Sequence, residues 1–235
     1  MRHLIRTTAG TALVLAPALA VLGAPAAAQV TTVDEGSFSI TRAGDRVGSE
    51  VFAIKQTPGA ERGMIYVSSA TITTGDRRVV PALRTDERGA PLAYRLEVRV
   101  NGAPRERLTG LVGGGRFSAQ IHTASGESAS EIVVSDGARL VDEDIFHQYY
   151  FVALGNRRGP VPVIVPRRGE QVTVEVVERG REAVVVGGRS LPATRLTLML
   201  GGVAERSVWV DAAGRVLKVE IPSRQVIALR DEPPR

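Results

Sequence analysis

The sequence predicts a mainly all-β fold: a curved antiparallel meander sheet or half-barrel of roughly ten to twelve strands, with one short helix packed on it. Three observations carry this. Apolar residues recur every second position through most of the chain, glycine-containing turns separate the runs, and a single segment departs from the two-residue rhythm. Tyr94, Leu96, Val98 and Val100 alternate with Arg95, Glu97 and Arg99, the pattern of a strand with one dry and one wet face.

Equivalent runs predict strands over Phe38–Thr41, Val47–Lys55, Met64–Thr73, Arg116–Thr123 and Ser130–Ser135. In the second half they predict Val161–Val165, Val172–Val177, Ala183–Val186, Thr194–Leu200, Ser207–Val210 and Val216–Ile221. Ala43-Gly44-Asp45, Pro58-Gly59, Asn101-Gly102, Gly113-Gly114-Gly115, Arg179-Gly180 and Ala213-Gly214 fall between runs and supply the positive φ angles that tight hairpins need. Connections this short join antiparallel neighbours. The exception is Asp142–Gly155, read as a helix with an acidic first turn, a glycine stop and a broad apolar face containing Ile145, Phe146, Tyr149, Tyr150 and Val152. Four of the ten aromatic residues lie in it.

The chain opens with the pattern of a secretory signal peptide over residues 1–28. Arg2 and Arg6 form a basic start, Ala9–Gly23 an apolar stretch, and Ala26-Ala27-Ala28 a small-residue cleavage site. The expected mature protein starts at Gln29 and is periplasmic or extracellular. Residues 29–229 read as a single antiparallel domain, and 230–235, with two prolines, as a disordered tail. The chain has no cysteine, so no disulfide framework and no disulfide-linked partner is expected. The formal net charge is +5, of which Arg2 and Arg6 supply two.

Two stretches, Gly44-Asp45-Arg46-Val47-Gly48-Ser49-Glu50-Val51-Phe52 and Trp209–Ile221, together with Asp144-Ile145-Phe146-His147-Gln148-Tyr149-Tyr150, resemble an uncharacterised bacterial periplasmic domain family. That family is similar in architecture to the lipoprotein-carrier (LolA, LolB and LppX-like) half-barrels. The resemblance implies a curved sheet with a helix over its concave side, sometimes around an apolar cavity. It implies no established reaction and no catalytic residues.

The motif search yields little chemistry. His122 and His147 have no second His or Cys at ligand spacing, so no metal site and no cofactor is expected. No Gly-x-Ser-x-Gly occurs, and Gly113-Gly114-Gly115 lacks the Lys-Ser/Thr of a phosphate loop. Asp144 precedes His147 by three residues, a spacing that suits a helical carboxylate–imidazole contact that seats the helix. Export and scarce aromatics argue against nucleic acid. The leading expectation is a non-enzymatic envelope protein that takes a lipid or other amphiphile into an apolar groove lined by Phe146, Tyr149, Tyr150 and Trp209. The arginine-rich turns offer a rim for an anionic envelope surface. Two alternatives are an envelope hydrolase or lyase acting on glycans or esters around His147, Asp144 and His122, and a structural or interaction module.

Overall fold

The computed structural model describes residues 30–59 and 63–235; the predicted signal peptide lies outside the described residues. The described chain forms one sheet of 15 strands, more than the ten to twelve expected, and one short helix. The first half supplies β1 (Thr31–Arg42), β2 (Asp45–Pro58), β3 (Met64–Thr74), β4 (Arg77–Asp86), β5 (Pro91–Val100), β6 (Ala103–Gly113), β7 (Arg116–Thr123) and β8 (Gly126–Val133). The second supplies β9 (Arg139–Leu140), α1 (Tyr149–Ala153), β10 (Gly159–Val165), β11 (Glu170–Val186), β12 (Arg189–Leu200), β13 (Val203–Val210), β14 (Val216–Ile221) and β15 (Val226–Arg230).

The spatial order is β8-β7-β6-β5-β4-β3-β2-β1-β15-β14-β13-β12-β11-β10-β9, so the first and last strands pair at the middle of the sheet. Every ladder is antiparallel except β9 with β10. Inward-facing residues from both halves, among them Phe38, Phe52, Tyr94, Leu108, Phe117, Val176, Leu196 and Val219, belong to one apolar cluster. The sheet therefore curls until its concave side encloses a single core. Just past the edge strand β8, side chains tie the chain to β11: Gln171 accepts the Ser135 N–H at 2.9 Å and donates to the Ser135 hydroxyl at 2.8 Å.

Local chemistry explains where expectation and structure part. β4 carries Pro81 at an inward position, and the β3–β4 register is interrupted opposite it because proline donates no ladder hydrogen bond. β6 carries the charged run Arg105-Glu106-Arg107 and contains Gly110, where a Cβ would lie 2.3 Å from the Phe117 ring. β9 and β15 are short. Arg179-Gly180 is not a hairpin turn: Gly180, at φ +111°, sits at a bulge within the single long strand β11. The Asn101-Gly102 turn is as expected, with φ +52° and +75°.

Residues 182–193 of β11 and β12 run past the end of the β12–β13 ladder. They lay Val184, Val186 and Ala193 against Trp209 and Leu217, a second small core on the convex side. The tip of this arm, Gly187, meets Asp231 and Pro233. The tail is accordingly ordered against the sheet rather than free as expected. Asp231 accepts hydrogen bonds from Ser37 and Ser39, both at 2.5 Å, and its N–H donates to the Ser37 carbonyl at 2.9 Å.

Candidate functional site

The segment 138–153 runs through the interior and is buried throughout apart from Glu143 and Asp144, which are half-buried. A segment without a continuous ladder must find partners for its backbone groups elsewhere, and here side chains supply many of them. The expected 14-residue helix shrinks to Tyr149–Ala153, with no acidic residue in its first turn. The acids are used otherwise. Asp144 stands at φ +60°, outside any helix, and pairs with Arg224 at 2.8 Å. Asp142 accepts the Tyr94 hydroxyl at 2.7 Å and the Arg167 Nε–H at 2.8 Å, while its own N–H donates to Gln148 Oε1 at 2.7 Å.

His147 finds its carboxylate on the wall of the sheet, not at Asp144. Glu50 Oε1 lies 2.5 Å from His147 Nδ1 and accepts the His147 N–H at 3.0 Å; Oε2 accepts the Phe146 N–H at 2.7 Å. On the other side of the ring, Nε2 is 3.3 Å from Ser68 Oγ, and Phe52 stacks on the imidazole at 5.7 Å. Serine, imidazole and carboxylate thus stand in the order of a nucleophile, base and orienting acid. All three are enclosed: Ser68 and Glu50 are 0% exposed and His147 1%. Glu50 is occupied on both oxygens by the segment's backbone, which makes it a tie between wall and plug. His122 faces outward on β7, paired with Glu127 at 2.8 Å, so the sheet separates it from His147.

Sequence reasoning missed Glu50 and Ser68, although each left a signal. Glu50 is in phase with the inward residues Phe52 and Ile54, and Ser68 with Tyr66 and Ala70. A polar residue in the dry phase of a strand needs a buried partner.

Two arginines complete the interior. Arg139 donates to the carbonyls of Phe151, Gly137, Ala138 and Arg88, and burial without a carboxylate contact lowers its pKa to about 10. Arg230 grips Asp34 through two hydrogen bonds, at 2.8 and 3.0 Å. Burial, reinforced by the Asp142 charge, holds the Tyr94 phenol well above its ordinary value; burial also raises Tyr149 and Tyr150. For Arg167, burial alone would lower the value, but the charge and hydrogen bond of Asp142 outweigh it and raise it.

The four residues expected to line one groove divide between two places. Phe146, Tyr149 and Tyr150 are buried in the main core, with Tyr150 edge-on to Tyr66 at 6.1 Å and Arg206 over Tyr149 at 5.9 Å. Trp209 belongs to the second core on the convex side, where its indole N–H donates to Glu182 at 2.7 Å and Lys218 lies over the ring at 4.2 Å. Among the described residues no group of three or more His, Cys, Asp or Glu is placed to hold a metal ion.

Comparison with known proteins assigns no activity. No family model matches the chain, and no curated protein matches it. The chain is similar to a solved structure from Brucella abortus, a beta-barrel-like protein of a domain of unknown function, DUF1849. The two are 10% identical, the match covers 88% of this chain and 98% of that one, and the TM-score is 0.49.

Proposed function

We propose that the chain is an exported binding module of the cell envelope that acts through its outer surface. The observation supporting this is the interior: segment 138–153 fills the space that a carrier would reserve for cargo, with its side chains packed against the wall. Its buried charges are committed to fixed partners, so the protein's unmet interactions lie on the outside. Native mass spectrometry of the processed protein, released from the envelope without detergent, tests the reading. It predicts the mass of the polypeptide alone; a stoichiometric lipid retained in the folded protein overturns it.

A second reading, uptake of a lipid or other amphiphile, is favoured by one observation. The interior segment joins the sheet through the two-residue β9 ladder and the Val141 N–H to Ile164 carbonyl bond, and otherwise through side chains such as Glu50, Tyr94 and Arg167. A plug tied this way can leave without unzipping the sheet. In that reading an acyl chain replaces Phe146, Tyr149 and Tyr150 against the wall, and Trp209 takes no part. Asp142→Asn, which weakens the Arg167 tie, then increases the lipid bound per protein in the same experiment.

A further inference from the structure

The convex face of β2–β6 collects positive charge. Lys55, Arg78, Arg84, Arg95, Arg99 and Arg107 all point outward and are exposed. The inward phases of these strands, Phe52, Ile72, Val79, Leu83, Tyr94, Leu96 and Leu108, are locked in the core and hold the outer row in place. Glu97 is the one carboxylate among the outward side chains at the centre of this face, opposite Arg107 and hydrogen-bonded to Arg99 at 2.5 Å. Six cations around one acid give this face more net charge than the +5 of the whole sequence less the two arginines of its first six residues.

The arrangement carries an internal cost. Arg78 and Arg99 are direct cross-strand partners, and Ala82 rather than an acid stands opposite Arg95. Like charges placed directly opposite on one face of a sheet are destabilising. Between the first pair lies a shallow hollow of about 260 Å³ lined by Arg78, Val80, Glu97 and Arg99. Exposed apolar side chains sit among the cations: Val51, Val80 and Leu111. The convex face of the other half differs. There the β11–β12 arm covers Trp209 and Leu217, and the charges of these two strands are mixed, Glu178 pairing with Arg158 and Glu182 with Arg195.

We propose that the convex face of β2–β6 is a docking surface for an anionic phospholipid membrane. This rests on the reading of the chain as an outward-acting binding module and names its partner. Glu97 pairs with Arg99, and phosphate head groups neutralise the remaining outward cations such as Arg78 and Arg95; arginine suits phosphate through its planar, forked donors. Val51, Val80 and Leu111 enter the interface between head groups, where mixed basic and apolar side chains are favoured. A sheet face presents these groups at fixed spacing, so no ordering of a loop opposes binding.

The experiment is cosedimentation of the processed protein with vesicles of phosphatidylcholine alone, or of phosphatidylcholine mixed equally with phosphatidylglycerol, at low and high salt. Binding is expected only to the anionic vesicles and is lost at high salt. The Arg78→Gln/Arg95→Gln/Arg99→Gln variant is expected to lose on the order of a hundredfold in partitioning, about fivefold per basic side chain. The charge-matched control Arg179→Gln/Arg181→Gln/Arg189→Gln, on β11 and β12, keeps at least half of the wild-type binding. Equal losses in the two variants, equal binding to neutral vesicles, or binding to soluble polyphosphate without binding to vesicles each overturns the proposal. Both variants change only exposed side chains, and matched thermal midpoints confirm that they fold. An empty interior combined with indifference to vesicles removes the membrane partner and leaves the outward-acting reading standing.

Discussion

The two sides of the same sheet treat charge in opposite ways. On the concave side every prominent ion is fixed: Glu50 holds three N–H groups of the plug, Asp142 holds Tyr94 and Arg167, and Arg230 holds Asp34. On the convex side of β4 and β5, Arg78 faces Arg99. A buried charge without a partner costs several kcal/mol, so the concave side has little freedom in composition. An exposed one costs little, so a run of arginines there with Glu97 as the one acid between them is not explained by folding. That difference directs the search for function outward.

The largest expected effect breaks the inner side of the comparison. Glu50→Ala strands the imidazole and two backbone N–H groups in an apolar interior and is expected to cost about 3–5 kcal/mol, read as a drop in the urea midpoint. Next is Gly110→Ala: a Cβ 2.3 Å from Phe117 forces the ring aside at about 1–3 kcal/mol, measured the same way. Ser68→Ala sharpens the reading of the buried serine–histidine–glutamate line. A single hydroxyl at 3.3 Å from Nε2 is worth about 1 kcal/mol or less, so the variant should fold with nearly the wild-type midpoint. The smallest effect belongs to the outer side. Arg78→Gln relieves repulsion with Arg99 and is expected to leave stability within about 0.5 kcal/mol or raise it slightly.

Alkaline pH probes the inner side without mutation. Tyr94, Tyr149 and Tyr150 are held neutral by burial above their unfolded value of 10.0. Their contribution is complete below that pH and is lost as pH rises through and beyond it, because the unfolded chain releases those protons first. Arg139 acts oppositely above about 10, where the folded protein releases the proton before the unfolded one. Three phenols against one guanidinium predict a falling thermal midpoint above pH 10, checked by circular dichroism melts across that range.

Much of the sheet was legible because one dry face imposes a two-residue rhythm, and the runs at Tyr94–Val100 and Met64–Thr73 fall inside β5 and β3. Strands were missed where a residue breaks that rhythm for a local reason, Pro81 in β4 and Gly110 in β6. Arg179-Gly180 reads as a turn because glycine marks bulges and turns alike. The helix was overextended because Asp142, Glu143 and Asp144 look like favourable charges at a helix start. Their actual partners, Tyr94, Arg167 and Arg224, are distant in sequence. The same holds for the site: His147 was visible as a residue of interest, but Glu50 lies 97 positions away and only the fold brings them together. The convex arginines stood in view within the alternation, yet which of them share a face follows from strand register.

Amide hydrogen exchange over residues 138–153 tests the filled interior most directly. Tied to the wall by Glu50, Asp142 and Arg139, the N–H groups of Phe146 and His147 are predicted to exchange only with global unfolding, at the same rate as those of β5. Exchange there many times faster than in β5, with the sheet still protected, would contradict the account and mark the segment as one that leaves the interior.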